Sequence, residues 1–269
     1  MTNTIILTVH NKEKTILKIL NNLCKNSSKN SIELIIILDG CTDKTSSKIK
    51  EFMKSFKVSL KIKVLVTNDV WETRANNIGL NQVKTDYATL VQDDMLIMQK
   101  NWDLTLLRNF QKFKLFAVSG RAGHEFCFEN NQFKVLNLFG REYPLSNRHL
   151  IGKIIGKFIV KFKLYWIYNY YNFFSKRLVV NRGPLMLDMK KAKELNFFDE
   201  IFSPFELDDI DLCCRAYKKY GLLSGANPIF YYELNGSKKY NISSQKESIR
   251  SIKKNTKILI ERHLDLAIK

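Results

Sequence analysis

Three short clusters of acidic residues have the types and spacing to do chemistry. Asp39 is followed by Gly40, which permits a tight turn close to a ligand. Asp93 and Asp94 are adjacent at the end of an apolar run. Two carboxylates together with phosphate oxygens suit a hard cation such as Mg2+ or Mn2+. Asp208, Asp209 and Asp211 follow Pro204 and Phe205 at the start of a helical pattern. Leu207, Ile210 and Leu212 press that turn into the core, which places the three acids at a cleft rim. Each cluster also has a plainer reading. Asp39 caps the helix starting near Asp43, Asp93 and Asp94 form a solvated turn, and the third cluster complements a helix dipole.

The elements around these clusters decide whether they meet. Strand patterns at 4–9, 32–38, 60–66, 87–91 and 115–119 alternate with helical patterns at about 12–25, 43–57, 71–83 and 102–113. The run IELIIIL at 32–38 is continuously apolar, as in a strand buried on both faces of a parallel sheet. Such alternation predicts an α/β fold of βαβ units on a mostly parallel central sheet flanked by helices. Ligands in these sheets bind beyond the carboxyl ends of the strands. TVHN, LDGCTD and VQDDM all occupy such ends.

Residues 121 to 180 are rich in Phe, Tyr, Lys and Asn and show no βαβ rhythm. After Arg182 come a strand in GPLMLD, helices at 189–196 and 206–219, and a strand at 228–234. A final helix at about 244–267 places Ile249, Ile252, Thr256, Leu259 and His263 on one stripe. The simplest organisation is one domain. Residues 1–120 are expected to form its first half, 121–181 an insertion, and 182–269 a second half with the C-terminal helix.

Composition narrows the class. The 269 residues carry 44 Lys and Arg against 26 Asp and Glu, a net charge of +18. That surplus points to an anionic partner. A hydrophobic fraction of 45% excludes a disordered chain. Cys24, Cys41, Cys127, Cys213 and Cys214 show no CxxC pair, so reduced thiols in a cytoplasmic protein are expected. No basic leader opens the sequence, and no run approaches the ~20 apolar residues of a membrane span.

The order of the motifs is more specific than any one of them. TIILTVHN resembles the opening strand and P-x-Y/H-N signature of the family 2 glycosyltransferases, with Thr8 for Pro and His10 at the aromatic position. IIILDGCTDKT resembles that family's DDGSTDGT segment, with Leu38 for the first acid and Asp39 retained. NNIGLNQVKTDYATLVQDDM resembles its RN-x-GL helix, strand and D-x-D motif, with Gln92 for the first acid and Asp94 for the last. FDEIFSPFELDDIDLCCRAYKKYG resembles its FDE…F…EDVDLCLRARKAG block, with Asp208 for Glu.

The resemblance implies a GT-A fold and an inverting transfer from a nucleotide-sugar to a glycan or lipid-linked hydroxyl. Surface polysaccharide synthesis is the expected setting. Thr8, His10, Asn11, Asp39, Asn77 and Asp93 are expected at the nucleotide-sugar, with the His10 ring stacking on the base. Asp94 is expected to hold Mg2+ or Mn2+, and Asp209 to act as base with Asp208 orienting the acceptor. Glu233 or Asn235 stands near the place of a further metal ligand, and Arg74 near the usual Arg, which here is Asn76. A catalytically weak, membrane-associated partner of another transferase is the alternative that Gln92 leaves open. Nucleic acid is not an expected partner, because that reading leaves the four ordered motifs unexplained.

Residues 149–174 read HLIGKIIGKFIVKFKLYWIYNYYNFF and set Lys153, Lys157 and Lys161 four apart beside Ile and Phe. A basic amphipathic helix with Trp166 fits an anionic membrane surface, on the inner face of the cell membrane. A lid over the acceptor site is the competing reading. Replacing Lys153, Lys157, Lys161 and Lys163 by Gln is expected to reduce co-sedimentation with anionic vesicles while transfer to a short soluble acceptor persists. Vesicle binding should also weaken with salt, since exposed charges are screened over ~8 Å at physiological ionic strength. Lost transfer with unchanged vesicle binding identifies the lid.

Overall fold

The computed structural model describes residues 1–55, 60–121, 123–129, 132–136, 158, 162, 174–234 and 242–267. Strand β1 (Asn3–Val9) runs through helix α1 (Ile16–Asn26) to β2 (Ser31–Asp39), and α2 (Thr45–Ser55) leads to β3 (Lys61–Thr67). Helix α3 (Trp71–Leu80) then leads to β4 (Tyr87–Gln92). β1 pairs in parallel with β2 and β4, and β2 with β3. The chain therefore turns back at β1 and β4, the switch point where such sheets open a ligand crevice.

β5 (Met95–Ile97), α4 (Trp102–Lys112) and β6 (Ala117–Ser119) follow. Next come β7 (Gly123–Glu129), β8 (Gln132–Leu136), β9 (Ser175–Arg177), β10 (Val179–Val180) and β11 (Leu185–Asp188). Helix α5 (Met189–Glu194), a 3-10 turn at Glu200–Phe202 and α6 (Asp208–Tyr220) precede β12 (Ser224–Ala226), β13 (Tyr231–Glu233) and α7 (Ile242–His263). The main sheet has eight strands in the order β3-β2-β1-β4-β11-β6-β12-β9. β11 runs antiparallel to β4 and β6, which inserts one reversed strand into an otherwise parallel centre. β13 pairs with β5, and β7 with β8 and β10, in two small sheets.

Alternation along the strands sorts the core into two layers. Ile5, Leu7, Leu34 and Ile36 face α1 and α4 with Trp102 and Leu106, whereas Ile6, Ile35 and Ile37 face α3 and α6 with Phe198 and Leu212. Helix α3 lies close to the sheet because Gly79 has no side chain. A Cβ there would lie 2.7 Å from Ile37 Cδ1 and 2.8 Å from Ile6 Cγ2.

Two expectations change. The stripe on the last helix is buried only toward its end, at Leu259 and His263, while Ile249 and Ile252 are exposed. The stripe is thus packed against the core only in the second half of α7, where Leu259 is buried. The basic aromatic run 149–174 lies outside the described residues except for Phe158, Phe162 and Phe174. No helix among the described residues is long and apolar enough to cross a membrane.

Candidate active site

The first wall of the site is the carboxyl end of β1. The chain turns there through His10 and the left-handed Asn11, at φ 50°. His10 Nδ1 lies 2.6 Å from the carbonyl of Asp39, so this nitrogen carries the proton and donates. Nε2 then accepts from Asn11 Nδ2 at 3.1 Å, which fixes the ring plane. Asn11 Oδ1 accepts the amides of Thr42 (2.8 Å) and Asp43 (3.2 Å), tying this turn to the start of α2.

Asp39 is 2% exposed and its carboxylate accepts from Thr67 Oγ1 (2.9 Å) and from the amides of Val70 (2.7 Å) and Trp71 (3.0 Å). It orders the turn before α3. Gly40 is needed where this turn crosses. Its φ is +56°, and a Cβ would lie 2.6 Å from Asp69 Cβ. Thr8 Oγ1 donates to Asn76 Oδ1 at 2.9 Å, joining β1 to α3.

Asn77 does not face the nucleotide end as expected. It is buried, and its amide clasps the backbone N–H and C=O of Phe198 at 3.1 and 2.8 Å. The helical period explains this, since Asn76 and Asn77 on adjacent positions of α3 point to different neighbours. Arg74 pairs with Glu200 at 3.1 Å on the surface, away from these groups.

The second wall is the turn after β4. Asp93 accepts the amide of His10 at 2.9 Å and lies 3.3 Å from the buried ammonium of Lys12. Burial pushes its carboxyl up to about 6 even with Lys12 beside it. Asp94 has no hydrogen bond or ion pair to its carboxylate among the described residues. Burial raises its carboxyl, Lys12 and Arg121 oppose that shift, and Glu233 and Glu72 add to it. Glu233 is engaged by Arg121 at 3.3 Å, and Asn235 lies outside the described residues.

These donors can be tested against the implied cation. Among the described residues no three His, Cys, Asp or Glu side chains are grouped to hold a metal. One uncommitted carboxylate fits a hard cation whose other ligands are diphosphate oxygens and water. The chemistry of Asp94 therefore suits a metal shared with a substrate.

The third wall opens at Glu206 and Leu207, both left-handed, at φ 77° and 68°. Asn255 on α7 donates to the carbonyls of Phe202 (2.8 Å), Phe205 (2.9 Å) and Glu206 (3.0 Å), which holds this strained entry to α6. Asp208 and Asp211 are 0% exposed, so the expected cleft rim narrows to Asp209, at 7%. Asp208 meets Arg182 Nη2 at 2.5 Å and Thr73 Oγ1 at 2.9 Å. Burial raises its carboxyl, and the adjacent guanidinium draws it back. Asp209 accepts the backbone N–H of Arg182 at 2.8 Å. Asp211 is bound by Arg215 (2.6 Å), His263 (2.9 Å) and Arg262 (3.4 Å).

Lys12, Glu72, Arg121 and Arg182 were not singled out from the sequence. A lysine or arginine reads as solvated surface, and a glutamate in the first helical turn reads as dipole complement. Glu72 accepts from Gln92 Nε2 at 3.3 Å and lies 3.8 Å from Arg182 Nη1. Among the described residues, the cleft so formed gathers seven carboxylates (Glu72, Asp93, Asp94, Glu206, Asp208, Asp209 and Glu233) around three cations, Lys12, Arg121 and Arg182.

The sequence matches the family described as Glycosyl transferase family 2 over residues 4–176. The fold is similar to a mannosyltransferase from Pyrobaculum calidifontis, PcManGT, solved with GDP-Man and Mn2+. There the TM-score is 0.64 at 12% identity, over 96% of this chain and 64% of that one. It is also similar to S. aureus TarS 1–349, with a TM-score of 0.54 at 19% identity over 87% of this chain and 60% of that one. The same protein with UDP-GlcNAc gives 0.55 at 18% identity, over 95% and 66%. The chain thus spans under two thirds of the length of these solved structures. Among curated proteins none matches it in sequence.

The Asp211 cluster gives a stability prediction. Burial raises Asp211, but the hydrogen bond from His263 and the charge of Arg215 outweigh it and hold the carboxyl below its ordinary 3.8. A lowered folded value contributes stability above that range and loses it as pH falls through the folded value. Asp211→Asn is expected to cost about 3 kcal/mol in urea unfolding at pH 7. The gap between variant and wild type should shrink in acid below the ordinary aspartate range. A gap independent of pH removes the ion pairs as its cause.

Proposed function

This chain belongs to glycosyl transferase family 2, and we propose that it moves a sugar from a nucleoside diphosphate to an acceptor hydroxyl, with inversion. The observation that carries this reading is the uncommitted Asp94 carboxylate at the switch point, in a cleft where acids outnumber bases. A nucleoside diphosphate is itself an anion and would be repelled there. A divalent cation on Asp94 removes that conflict, and when bound it supplies Lewis-acid stabilisation of the departing diphosphate. The Mn2+ in the PcManGT complex with GDP-Man supports the same assignment.

The chain's own residues divide the remaining work. The fixed imidazole of His10 presents a ring face to the base, with Asn11 and Thr8 shaping the turn beneath it. Asp93 holds the His10 amide and so joins this turn to the Asp94 loop. Asp209 takes the proton of the attacking hydroxyl as that oxygen bonds to the anomeric carbon and the diphosphate leaves from the opposite face. Its Oδ2 is aimed by the Arg182 amide. Asp208 neutralises the buried Arg182 and keeps that amide in place.

The acceptor is a glycan or lipid-linked hydroxyl in surface polysaccharide synthesis, and the basic insertion brings the enzyme to the membrane carrying it. A screen of nucleotide-sugars for binding and hydrolysis, with and without Mn2+, tests the reading. Silence in every arm favours the inactive-partner alternative.

Two variants test the roles separately. Asp94→Ala is expected to lower transfer by about 10³-fold, several kcal/mol of lost charge stabilisation, with unfolding unchanged. Full activity in that variant, or in wild type with chelator, removes the metal. Asp209→Asn should lower turnover by about 10²–10⁴-fold while nucleotide binding persists. Should Asp208→Asn alone do this, with the fold intact, the base is the other acid of the pair.

A further inference from the structure

In the reaction proposed above, the transferred sugar spans the gap between the diphosphate at Asp94 and the base at Asp209. One carboxylate touches the residues that border both ends. Glu72 Oε1 accepts from Gln92 Nε2 at 3.3 Å, and Gln92 stands two residues before Asp94. The same oxygen lies 3.8 Å from Arg182 Nη1, and Arg182 donates its backbone N–H to Asp209 at 2.8 Å. Both contacts fall on Oε1. The other oxygen, Oε2, meets no donor among the described residues.

Exposure separates this side chain from its partners. That of Glu72 is 33% exposed, against 7% for Arg182 and 0% for Asp208. Arg182 Nη1 is buried and makes no hydrogen bond of its own among the described residues, so the guanidinium backs Glu72 without closing it off. An open carboxylate oxygen held from behind is the complement of a hydroxyl, which donates one hydrogen bond.

We infer that Glu72 reads the donor sugar, its Oε2 accepting a hydrogen bond from a hydroxyl of the transferred ring. This rests on the nucleotide-sugar reading of the site. It also gives a reason for Gln92. The acid missing from the end of β4 stands across one hydrogen bond, on α3, where it faces the ring and not the metal. The field of Glu72 contributes to the raised carboxyls of Asp94, Glu206 and Asp208 alike, which places its charge between the two ends of the cleft.

The test is calorimetric titration of the full chain in Mn2+ with UDP, GDP, UDP-glucose, UDP-GlcNAc and GDP-mannose. For the sugar that wild type holds best, Glu72→Gln is expected to lower the affinity for the sugar-nucleotide about 10- to 100-fold, the range of a charge-assisted hydrogen bond. Affinity for the bare nucleotide should stay within about twofold. A ratio of the two affinities that does not change for any sugar overturns the inference. If Glu72→Gln loosens the fold and loses the bare nucleotide too, Glu72→Asp decides. It keeps a charge opposite Arg182 but withdraws it by one methylene, and an undiminished ratio there also overturns the inference. A wild-type protein that binds neither UDP nor GDP refutes the nucleotide-sugar reading itself, and the inference falls with it.

Discussion

Arg182 carries its charge with only 6% of its surface exposed, and much of the cleft is arranged around that fact. A buried guanidinium is costly unless its partners are close and well placed. Asp208 meets it at 2.5 Å, Glu72 at 3.8 Å, and the ring of Phe198 lies 5.3 Å beneath. Through these contacts one side chain joins α3, α6 and the turn before β11. Its backbone N–H, on the same residue, holds Asp209. Removing Asp208 would strand a buried cation and displace the proposed base together, so the pair serves stability and geometry at once.

The last helix has a similar role from the other side. Asn255 gathers three carbonyls of the segment before α6, and His263 and Arg262 reach Asp211 within it. Residues 4–176 carry the family match, yet the parts that aim Asp209 come from 182 and from 242–263. A left-handed Glu206 and Leu207 would relax if nothing held them. The amide of Asn255 supplies that hold, and the ion pairs at Asp211 keep the helix seated.

Charge is distributed against the average. A chain of net +18 places seven acids around its proposed catalytic centre. The surplus of lysine lies elsewhere, much of it on exposed helix faces. Under the proposed function, a phosphate-bearing substrate would meet attraction at long range and, at short range, acids whose repulsion a divalent cation would offset.

The sequence by itself determined the α/β plan, because buried strands must be apolar on both faces and helices must alternate with them. IELIIIL, TIILTV and the helix at about 71–83 were legible for that reason, and the order of the motifs singled out Asp94 and Asp209 as candidates. Which acids remain open was decided only by tertiary structure. Asp39, Asp208, Asp209 and Asp211 look no different in sequence from Asp94, yet those four are tied to hydroxyls, amides or cations distant in the chain, and Asp94 has no such partner among the described residues. Asn77 likewise was spent on Phe198, 121 residues away. Local pattern reports what an element must bury. It carries no record of which partner, brought in by the fold, takes up a polar group, and that pairing separates a structural carboxylate from one left free for chemistry.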